Sequence, residues 1–208
     1  MKLKFCGIRR PQDIQLINMH TPDYIGFILA EGYRRTVSPE TVRELCGKLE
    51  ADVKKVGVFV NQTVEEVVSA SEKSGIDILQ LHGDETAEYI DELRKFTDLE
   101  IWKAVRVKSV DDIIKADSLN ADKILIDSFV KGVYGGTGKT ADWNIVRQAE
   151  KLIKTPYFLA GGLNAENLTE ALEILNPYGI DISGGIETDG IKSEEKMKRI
   201  SEIIMEDR

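Results

Sequence analysis

A repeated alternation of short apolar runs with longer amphipathic segments is the feature that most constrains the fold of this chain. Each pair of segments takes about 25 residues, as repeated βα units do. The runs that have the apolar, β-branched character of strands are Lys2–Cys6, Tyr24–Leu29, Lys55–Val60, Ile76–Leu81, Ile101–Val105, Lys123–Asp127, Tyr157–Ala160 and Ile180–Ser183. Between them, Ser38-Pro39 predicts a capped helix start, and Thr63-Val-Glu-Glu66 has the spacing of a capping box.

Eight such units in one uninterrupted series favour a closed parallel barrel. An open, doubly wound sheet needs fewer strands and usually shows a switch point in strand order. The chain has 208 residues, which is at the short end for a (βα)8 barrel. We therefore expect an α/β fold, a TIM barrel, with residues 1–208 forming a single catalytic domain.

Composition narrows the possible partners. The formal net charge is −8 and no basic patch dominates, which argues against nucleic acid as the main partner. No apolar run is long enough to span a bilayer. Lysines and a glycine interrupt the first seven residues, so no apolar signal-peptide core can form there. These two features lead us to expect a cytoplasmic location. Two cysteines, Cys6 and Cys46, are too few for a disulfide framework and the two histidines are far apart in sequence, so we expect reduced thiols and no zinc site.

The carboxyl ends of barrel strands converge on one mouth, where active sites of this fold lie. By this rule the mouth receives Cys6 from the first strand, Arg35 from the loop after the second, His82 from the fourth and Asp127 from the sixth. A thiol, a guanidinium group, an imidazole and a carboxylate would therefore face a common space.

Adjacent glycines follow the seventh and eighth strands, in Leu159-Ala-Gly-Gly-Leu163 and Asp181-Ile-Ser-Gly-Gly-Ile-Glu187. Glycines at such turns leave backbone N–H groups unshielded by side chains. In a (βα)8 barrel the loops after these two strands commonly bind phosphate. The sequence thus predicts a phosphate cradle at this side of the mouth.

A thiol and a carboxylate across such a mouth suit an isomerisation, in which one group removes a proton from carbon and the other donates a proton to oxygen. Cys6 can serve as the base only if its pKa falls toward neutrality, which Lys4 or a nearby arginine could bring about. Burial of Asp127 would favour the protonated acid. Each residue also has a simpler explanation: Cys6 as a small buried hydrophobe, and Asp127 as a loop anchor after its strand.

Arg35 has the geometry to bind a substrate carboxylate through two hydrogen bonds, although most loop arginines are simply solvated. His82 has a simpler role in holding a loop by hydrogen bonds. Gly135-Gly-Thr-Gly138 lacks the full phosphate-loop pattern of nucleotide-binding proteins, and we interpret it as a mobile loop over the mouth.

The chain resembles the phosphoribosylanthranilate isomerases, (βα)8 enzymes of tryptophan biosynthesis. The resemblance runs nearly from end to end, and its motifs occur in the expected order. They are Lys4-Phe-Cys-Gly-Ile8, Gly57-Val-Phe-Val-Asn61, Gln80-Leu-His-Gly83, Ile126-Asp-Ser128, Gly135-Gly-Thr-Gly138, Asp142-Trp143, Ala160-Gly-Gly-Leu-Asn164, Glu166-Asn167, Asp181-Ile-Ser-Gly-Gly-Ile-Glu187 and Gly190-Ile-Lys192.

This resemblance implies an Amadori rearrangement of N-(5-phosphoribosyl)anthranilate to 1-(2-carboxyphenylamino)-1-deoxyribulose 5-phosphate, with no cofactor. It implies that Asp127 is the general acid that opens the ring and Cys6 the base that removes the C2 proton. Arg35 would bind the anthranilate carboxylate, and Asp181 would contact a sugar hydroxyl. The backbone of Gly161, Gly162, Gly184 and Gly185 would bind the phosphate. The partner is thus a small phosphosugar, and the enzyme a monomer or homodimer.

The chain departs from the family pattern at Arg9, at Tyr33-Arg34 before the substrate arginine, at Gly184 and at Ser193. Gly184 stands where the pattern has a serine, which removes a hydroxyl donor and keeps the backbone N–H.

Two other functions remain open from the residues alone. One is a different phosphosugar isomerase or synthase on the same barrel, because fold and phosphate site do not fix the reaction. The other is a catalytically silent barrel that serves as a binding module. The pair of Cys6 and Asp127 argues against the first, and the joint presence of Cys6, Asp127 and Arg35 argues against the second.

Overall fold

The computed structural model describes residues 1–127 and 141–206. The eight predicted strands form a closed parallel barrel in which neighbours in sequence are neighbours in space, and the first strand also pairs with the eighth. The strands are β1 Lys2–Cys6, β2 Tyr24–Ile28, β3 Lys54–Phe59, β4 Ile78–Leu81, β5 Glu100–Arg106, β6 Lys123–Asp127, β7 Tyr157–Ala160 and β8 Gly179–Ile182. The helices are α1 Pro11–His20, α2 Pro39–Cys46, α3 Val64–Ser74, α4 Ala87–Leu93, α5 Val110–Asp117, α6 Ala141–Ala149, α7 Leu168–Ile174 and α8 Glu194–Glu206. The predicted (βα)8 fold is confirmed.

Strand bounds agree with the sequence to within two residues. Strands β1, β6 and β7 have the predicted bounds, whereas β2, β3 and β8 each end one residue earlier. The largest difference is at β4, which begins at Ile78 and not at Ile76. Gly75 ends α3 in the left-handed conformation, and the Asp77 carboxylate accepts a hydrogen bond from the Lys55 backbone N–H at 2.8 Å. These contacts hold Ile76 and Asp77 in a turn ahead of the strand.

The predicted helix starts are present. The Ser38 hydroxyl accepts a hydrogen bond from the Thr41 N–H at 3.2 Å. At α3 the Thr63 hydroxyl accepts from the Glu66 N–H at 3.3 Å, and the Glu66 carboxylate accepts from the Thr63 N–H at 2.8 Å. Both caps satisfy N–H groups that have no partner within the helix.

Apolar side chains fill two layers. One layer packs the outer face of the strands against the helices. The other lies inside the barrel and consists of Tyr24, Val56, Ile78, Trp102, Ala104, Leu125, Phe158 and Ala160. Within it, Trp102 and Phe158 stack with ring centroids 4.6 Å apart. The interior is therefore a packed core and not a pore, which leaves the mouth as the place for a ligand.

Alternation along the strands points the predicted site residues into the mouth. Side chains two residues apart on a strand share a face. Ile78 and Leu125 belong to the interior layer, so Gln80 and Asp127, two residues further along, face the same interior.

One element was not predicted. After β8 the chain makes a short 3-10 turn, Gly184–Ile186, and then a two-stranded antiparallel hairpin of β9 (Glu187–Thr188) and β10 (Ile191–Lys192). None of the helices in the described part of the chain is long and apolar enough to cross a membrane.

Candidate active site

A cavity of about 690 Å³ occupies the mouth of the barrel. All nine residues that the sequence proposed for the site line this cavity: Cys6, Arg35, His82, Asp127, Gly161, Gly162, Asp181, Gly184 and Gly185. The predicted convergence of strand ends therefore brings these residues to one space. The loop Gly135–Gly138 and Ser128 lie outside the described residues.

Cys6 ends β1 at the base of the cavity and is 5% exposed. Burial raises the pKa of its thiol above the ordinary value of 9.0, although the positive charges of Lys4 and Lys192 act in the opposite direction. The expectation that Lys4 or an arginine lowers this pKa toward neutrality is therefore wrong: Lys4 favours the thiolate, but burial has the larger effect. The resting group is therefore a thiol.

Lys4 and Asp181 form a buried ion pair beside Cys6. Lys4 Nζ lies 2.9 Å from Asp181 Oδ1, and the two side chains are 0% and 8% exposed. Burial disfavours the charge on Lys4, but Asp181 and Cys6 outweigh it and raise the pKa of the ammonium group. Asp181 thus holds a positive charge next to the thiol, in addition to the sugar contact that the resemblance assigns to it.

Asp127 ends β6 with 26% of its side chain exposed, so it is less buried than the sequence suggested. His82 Nε2 lies 3.7 Å from Asp127 Oδ2. On the other side of the imidazole, Gln80 Nε2 lies 3.2 Å from His82 Nδ1. An amide NH₂ group can only donate, so in the neutral ring Nδ1 is the acceptor and Nε2 carries the proton that faces Asp127.

Gln80 belongs to the fourth-strand motif Gln80-Leu-His-Gly83. The residue is 1% exposed, and its Oε1 has no hydrogen-bond partner among the described residues. Gln80 lines the cavity, but this acceptor atom is itself buried, so the contact that Gln80 makes at the site is the one from its amide nitrogen to His82.

The glycine turns after β7 and β8 form the wall of the cavity between Asp127 at the end of β6 and Cys6 at the end of β1. Gly161 and Gly162 have φ of 88° and 68°, which side chains with a Cβ rarely adopt. In the described part of the chain, no backbone acceptor takes the N–H of either residue. Gly184 and Gly185 lie in the 3-10 turn that follows β8. Lys196 also lines the cavity, and sequence reasoning missed it.

Arg35 reaches the cavity from the loop after β2 and is paired with Glu187. Arg35 Nε donates to Glu187 Oε1 and Arg35 Nη2 donates to Glu187 Oε2, both at 2.7 Å. Burial would raise the pKa of Glu187, but Arg35 and Lys192 outweigh it and lower that pKa to about 2. The carboxylate is therefore charged at neutral pH.

Two departures from the family pattern, Arg34 and Arg9, contact Glu187 and its hairpin, whereas Tyr33 does not. Arg34 Nη2 lies 2.8 Å from Glu187 Oε2, and Arg9 Nη2 donates to the Gly190 carbonyl at 2.9 Å. Tyr33 is 49% exposed and lines a second cavity next to His82, outside the main one. In residues 1–127 and 141–206, no group of three or more histidine, cysteine or acidic side chains is arranged to bind a metal ion.

Comparison with known proteins agrees with this geometry. Residues 3–202 match the family described as N-(5'-phosphoribosyl)anthranilate (PRA) isomerase. The chain is 43% identical over 199 residues to the N-(5'-phosphoribosyl)anthranilate isomerase of Clostridium acetobutylicum, covering 96% of this chain and 95% of that protein. It is 45% identical over 202 residues to the corresponding protein of Caldanaerobacter subterraneus subsp. tengcongensis, covering 97% of each.

A solved structure of phosphoribosyl anthranilate isomerase in complex with reduced 1-(O-carboxyphenylamino)-1-deoxyribulose 5-phosphate has a TM-score of 0.84 to this chain. The two are 28% identical over 97% of each chain. These findings confirm the resemblance stated from the motifs and the prediction of an isomerase of tryptophan biosynthesis. The chain belongs to the N-(5'-phosphoribosyl)anthranilate isomerase family of (βα)8-barrel enzymes.

Proposed function

We propose that the barrel mouth converts N-(5-phosphoribosyl)anthranilate to 1-(2-carboxyphenylamino)-1-deoxyribulose 5-phosphate without a cofactor, and that residues 1–208 act as one catalytic domain. The observation that carries the proposal is that Cys6 and Asp127, from β1 and β6, line one cavity with the glycine turns after β7 and β8. An acid, a base and a phosphate cradle are what this isomerisation requires.

Asp127 is the general acid. Its carboxyl group gives a proton to the furanose ring oxygen, the bond from C1 to that oxygen breaks, and C1 becomes a Schiff base with the anthranilate nitrogen. His82 lies beside the carboxylate and limits its orientation. The Gln80 amide in turn orients His82.

Cys6 is the base. Its thiolate removes the proton from C2, which gives an enolamine, and this tautomerises to the C2 ketone. The reactive form of the pair has the thiolate and the carboxylic acid. It differs from the thiol and carboxylate form only by the position of one proton, so both forms have the same net charge. Lys4 supplies the positive charge beside the thiolate.

The remaining residues bind the two charged ends of the substrate. The N–H groups of Gly161, Gly162, Gly184 and Gly185 bind the phosphate, which suits a cradle of backbone donors. The Arg35 guanidinium binds the anthranilate carboxylate. Asp181 contacts a sugar hydroxyl from its position beside Lys4. A cytoplasmic monomer or homodimer is the form we expect for the enzyme.

Isosteric variants test these roles. We expect Cys6→Ser and Asp127→Asn each to lower kcat/KM by about 10²- to 10⁴-fold, because each removes a proton-transfer group and keeps its shape. The assay follows loss of the anthranilate fluorescence of freshly generated substrate. Cys46→Ser is the matched control, since Cys46 lies on α2 and not in the cavity. Near wild-type turnover in either active-site variant would remove that residue from the mechanism.

The same assay separates the alternative functions. A folded wild-type protein that binds a phosphosugar but does not consume this substrate would indicate another reaction on the same barrel. A protein that neither binds nor consumes a phosphosugar would indicate a catalytically silent barrel.

A further inference from the structure

The hairpin of β9 and β10 carries a carboxylate and an ammonium group that contact Arg35 and Cys6, two residues that line the cavity. Glu187 on β9 pairs in register with Lys192 on β10. The turn between them contains Asp189 and Gly190, with φ of 52° and 76°. Two consecutive positive φ values are the mark of a type I' turn, the tight turn that fits the twist of a hairpin. The hairpin therefore fixes the position of Glu187.

Both oxygens of Glu187 are fully engaged. Oε1 accepts from Arg35 Nε at 2.7 Å and from Lys192 Nζ at 3.0 Å. Oε2 accepts from Arg35 Nη2 at 2.7 Å and from Arg34 Nη2 at 2.8 Å. The Glu187 side chain is only 7% exposed, so its charge is largely removed from water. Each of its two oxygens accepts two hydrogen bonds from charged donors.

This pairing uses one edge of the Arg35 guanidinium and leaves another edge open. A guanidinium group has five N–H donors in a plane, and the Nε and Nη2 hydrogens form its side-on edge. Glu187 occupies that edge. The end-on edge, formed by Nη1 and the second Nη2 hydrogen, has no hydrogen bond to any residue that the structure describes, and Arg35 lines the cavity.

The cluster still attracts an anion. Three positive side chains, Arg34, Arg35 and Lys192, surround the single Glu187 carboxylate. Three positive charges and one negative charge give this group of four side chains a net charge of about +2. Glu187 therefore orders Arg35 without cancelling its attraction for a carboxylate.

Lys192 connects the hairpin to the floor of the site. Its Nζ donates to the Cys6 carbonyl at 2.6 Å and to the Ser183 carbonyl at 3.0 Å. The Lys192 side chain is 2% exposed. Lys192 also binds Glu187, so it links the carboxylate that contacts Arg35 to the end of β1 that carries Cys6. Glu187 and Cys6 are thus held in fixed positions relative to each other.

We propose that Glu187 is a positioning residue, which holds the side-on edge of Arg35 so that the end-on edge faces the cavity and binds the substrate carboxylate. This inference rests on the proposed function. Because a long arginine side chain loses much conformational freedom when it binds, prior ordering by Glu187 reduces the entropy lost on substrate binding.

The direct test is Glu187→Gln, which keeps the shape and removes the charge. We expect KM for phosphoribosylanthranilate to rise roughly tenfold while kcat changes less than about threefold, because the interaction lost is one of ground-state binding. Glu202→Gln on α8 is the matched control, since Glu202 pairs only with exposed Lys198 and Arg199 among the residues of known position. An unchanged KM in Glu187→Gln, with active wild-type enzyme, overturns the inference and leaves the proposed function standing.

Two further measurements separate positioning from general support of the fold. In an Arg35→Lys background, we expect Glu187→Gln to raise KM by less than about twofold more, because both changes remove the same interaction. A full second increase would mean that Glu187 does not act through Arg35.

The second measurement compares binding of the reduced product analogue with that of a matched analogue lacking the ring carboxylate. Glu187→Gln should weaken only the first, and equal weakening of both overturns the inference. If Glu187→Gln does not fold, Glu187→Asp keeps the negative charge in the cluster and shortens the side chain, so that the two-bond contact with Arg35 is lost, with the same expected results. A wild-type protein that does not consume phosphoribosylanthranilate contradicts the proposed function itself.

Discussion

At the scale of single residues, the site is defined by charges that are held beside a buried thiol. Cys6 lies between the Lys4–Asp181 ion pair and Lys192, and burial still keeps its proton bound at rest. A buried ion pair contributes little net stability, because desolvation offsets most of the attraction. The Lys4–Asp181 pair is therefore better explained by its effect on Cys6 than by any stabilisation of the barrel.

The raised pKa of Cys6 predicts how fast the thiol is alkylated. In a Cys46→Ser protein, inactivation by iodoacetamide should rise about tenfold per pH unit between pH 7 and 9, because only the thiolate reacts. The rate should not level off below pH 9, since burial raises the pKa above its ordinary value of 9.0. The reduced product analogue should slow the reaction. A rate that levels off below pH 8 would mean that the two lysines, and not burial, dominate the pKa of Cys6.

At the scale of elements, the hairpin β9–β10 is the part of the site that depends most on local backbone geometry. Gly190 has φ of 76°, and a Cβ at this position would also collide with Arg34 Nη1. The positive φ of the hairpin turn therefore favours glycine at position 190, whereas the exposed guanidinium of Arg34 can shift away from a Cβ.

Gly190→Ala should destabilise the protein by about 1–2 kcal/mol, because alanine is strained at positive φ. Gly47→Ala is the matched control: Gly47 has φ of −63°, and a Cβ there would meet its nearest atoms at an ordinary 3.6 Å. That substitution should be neutral or stabilising by up to about 1 kcal/mol. Urea denaturation measures both. Equal stability of the two variants would contradict the role assigned to the turn.

The sequence predicts some elements of this molecule much better than others. The eight strands were found because their apolar runs are four or more residues long and recur at regular intervals. The strands β9 and β10 have two residues each, which is too short for any periodicity. Asp189-Gly190 is the one signal that could have revealed the hairpin, since Asp-Gly favours a type I' turn.

For the site, the residue types at the strand ends were enough to identify residues that line the cavity, because the carboxyl ends of all parallel strands of a barrel lie at the same mouth. The pairing of Arg35 with Glu187 joins residues 152 positions apart and depends on the hairpin, so the sequence could not supply it. The pKa of Cys6 likewise depends on a balance between burial and two lysines, one of which, Lys192, lies 186 positions away.

At the scale of the whole molecule, the barrel separates stability from chemistry. The interior layer around Trp102 and Phe158 fills the lower part of the barrel, and the polar residues lie above it at the mouth. The rest of the apolar core lies between the outer face of the strands and the helices. Substitutions such as Cys6→Ser and Asp127→Asn are thus expected to change turnover while the fold is retained.

The most direct test of the central claim is to identify the product that the wild-type protein makes from phosphoribosylanthranilate in D₂O. We expect substrate fluorescence to fall at a rate proportional to enzyme concentration. By NMR the product should be a C2 ketone with one deuteron at C1, because the C2 proton is removed and the enolamine is protonated from solvent. Substrate loss that does not exceed the enzyme-free rate, in a protein that still binds the reduced product analogue, would contradict the claim that this mouth catalyses the isomerisation.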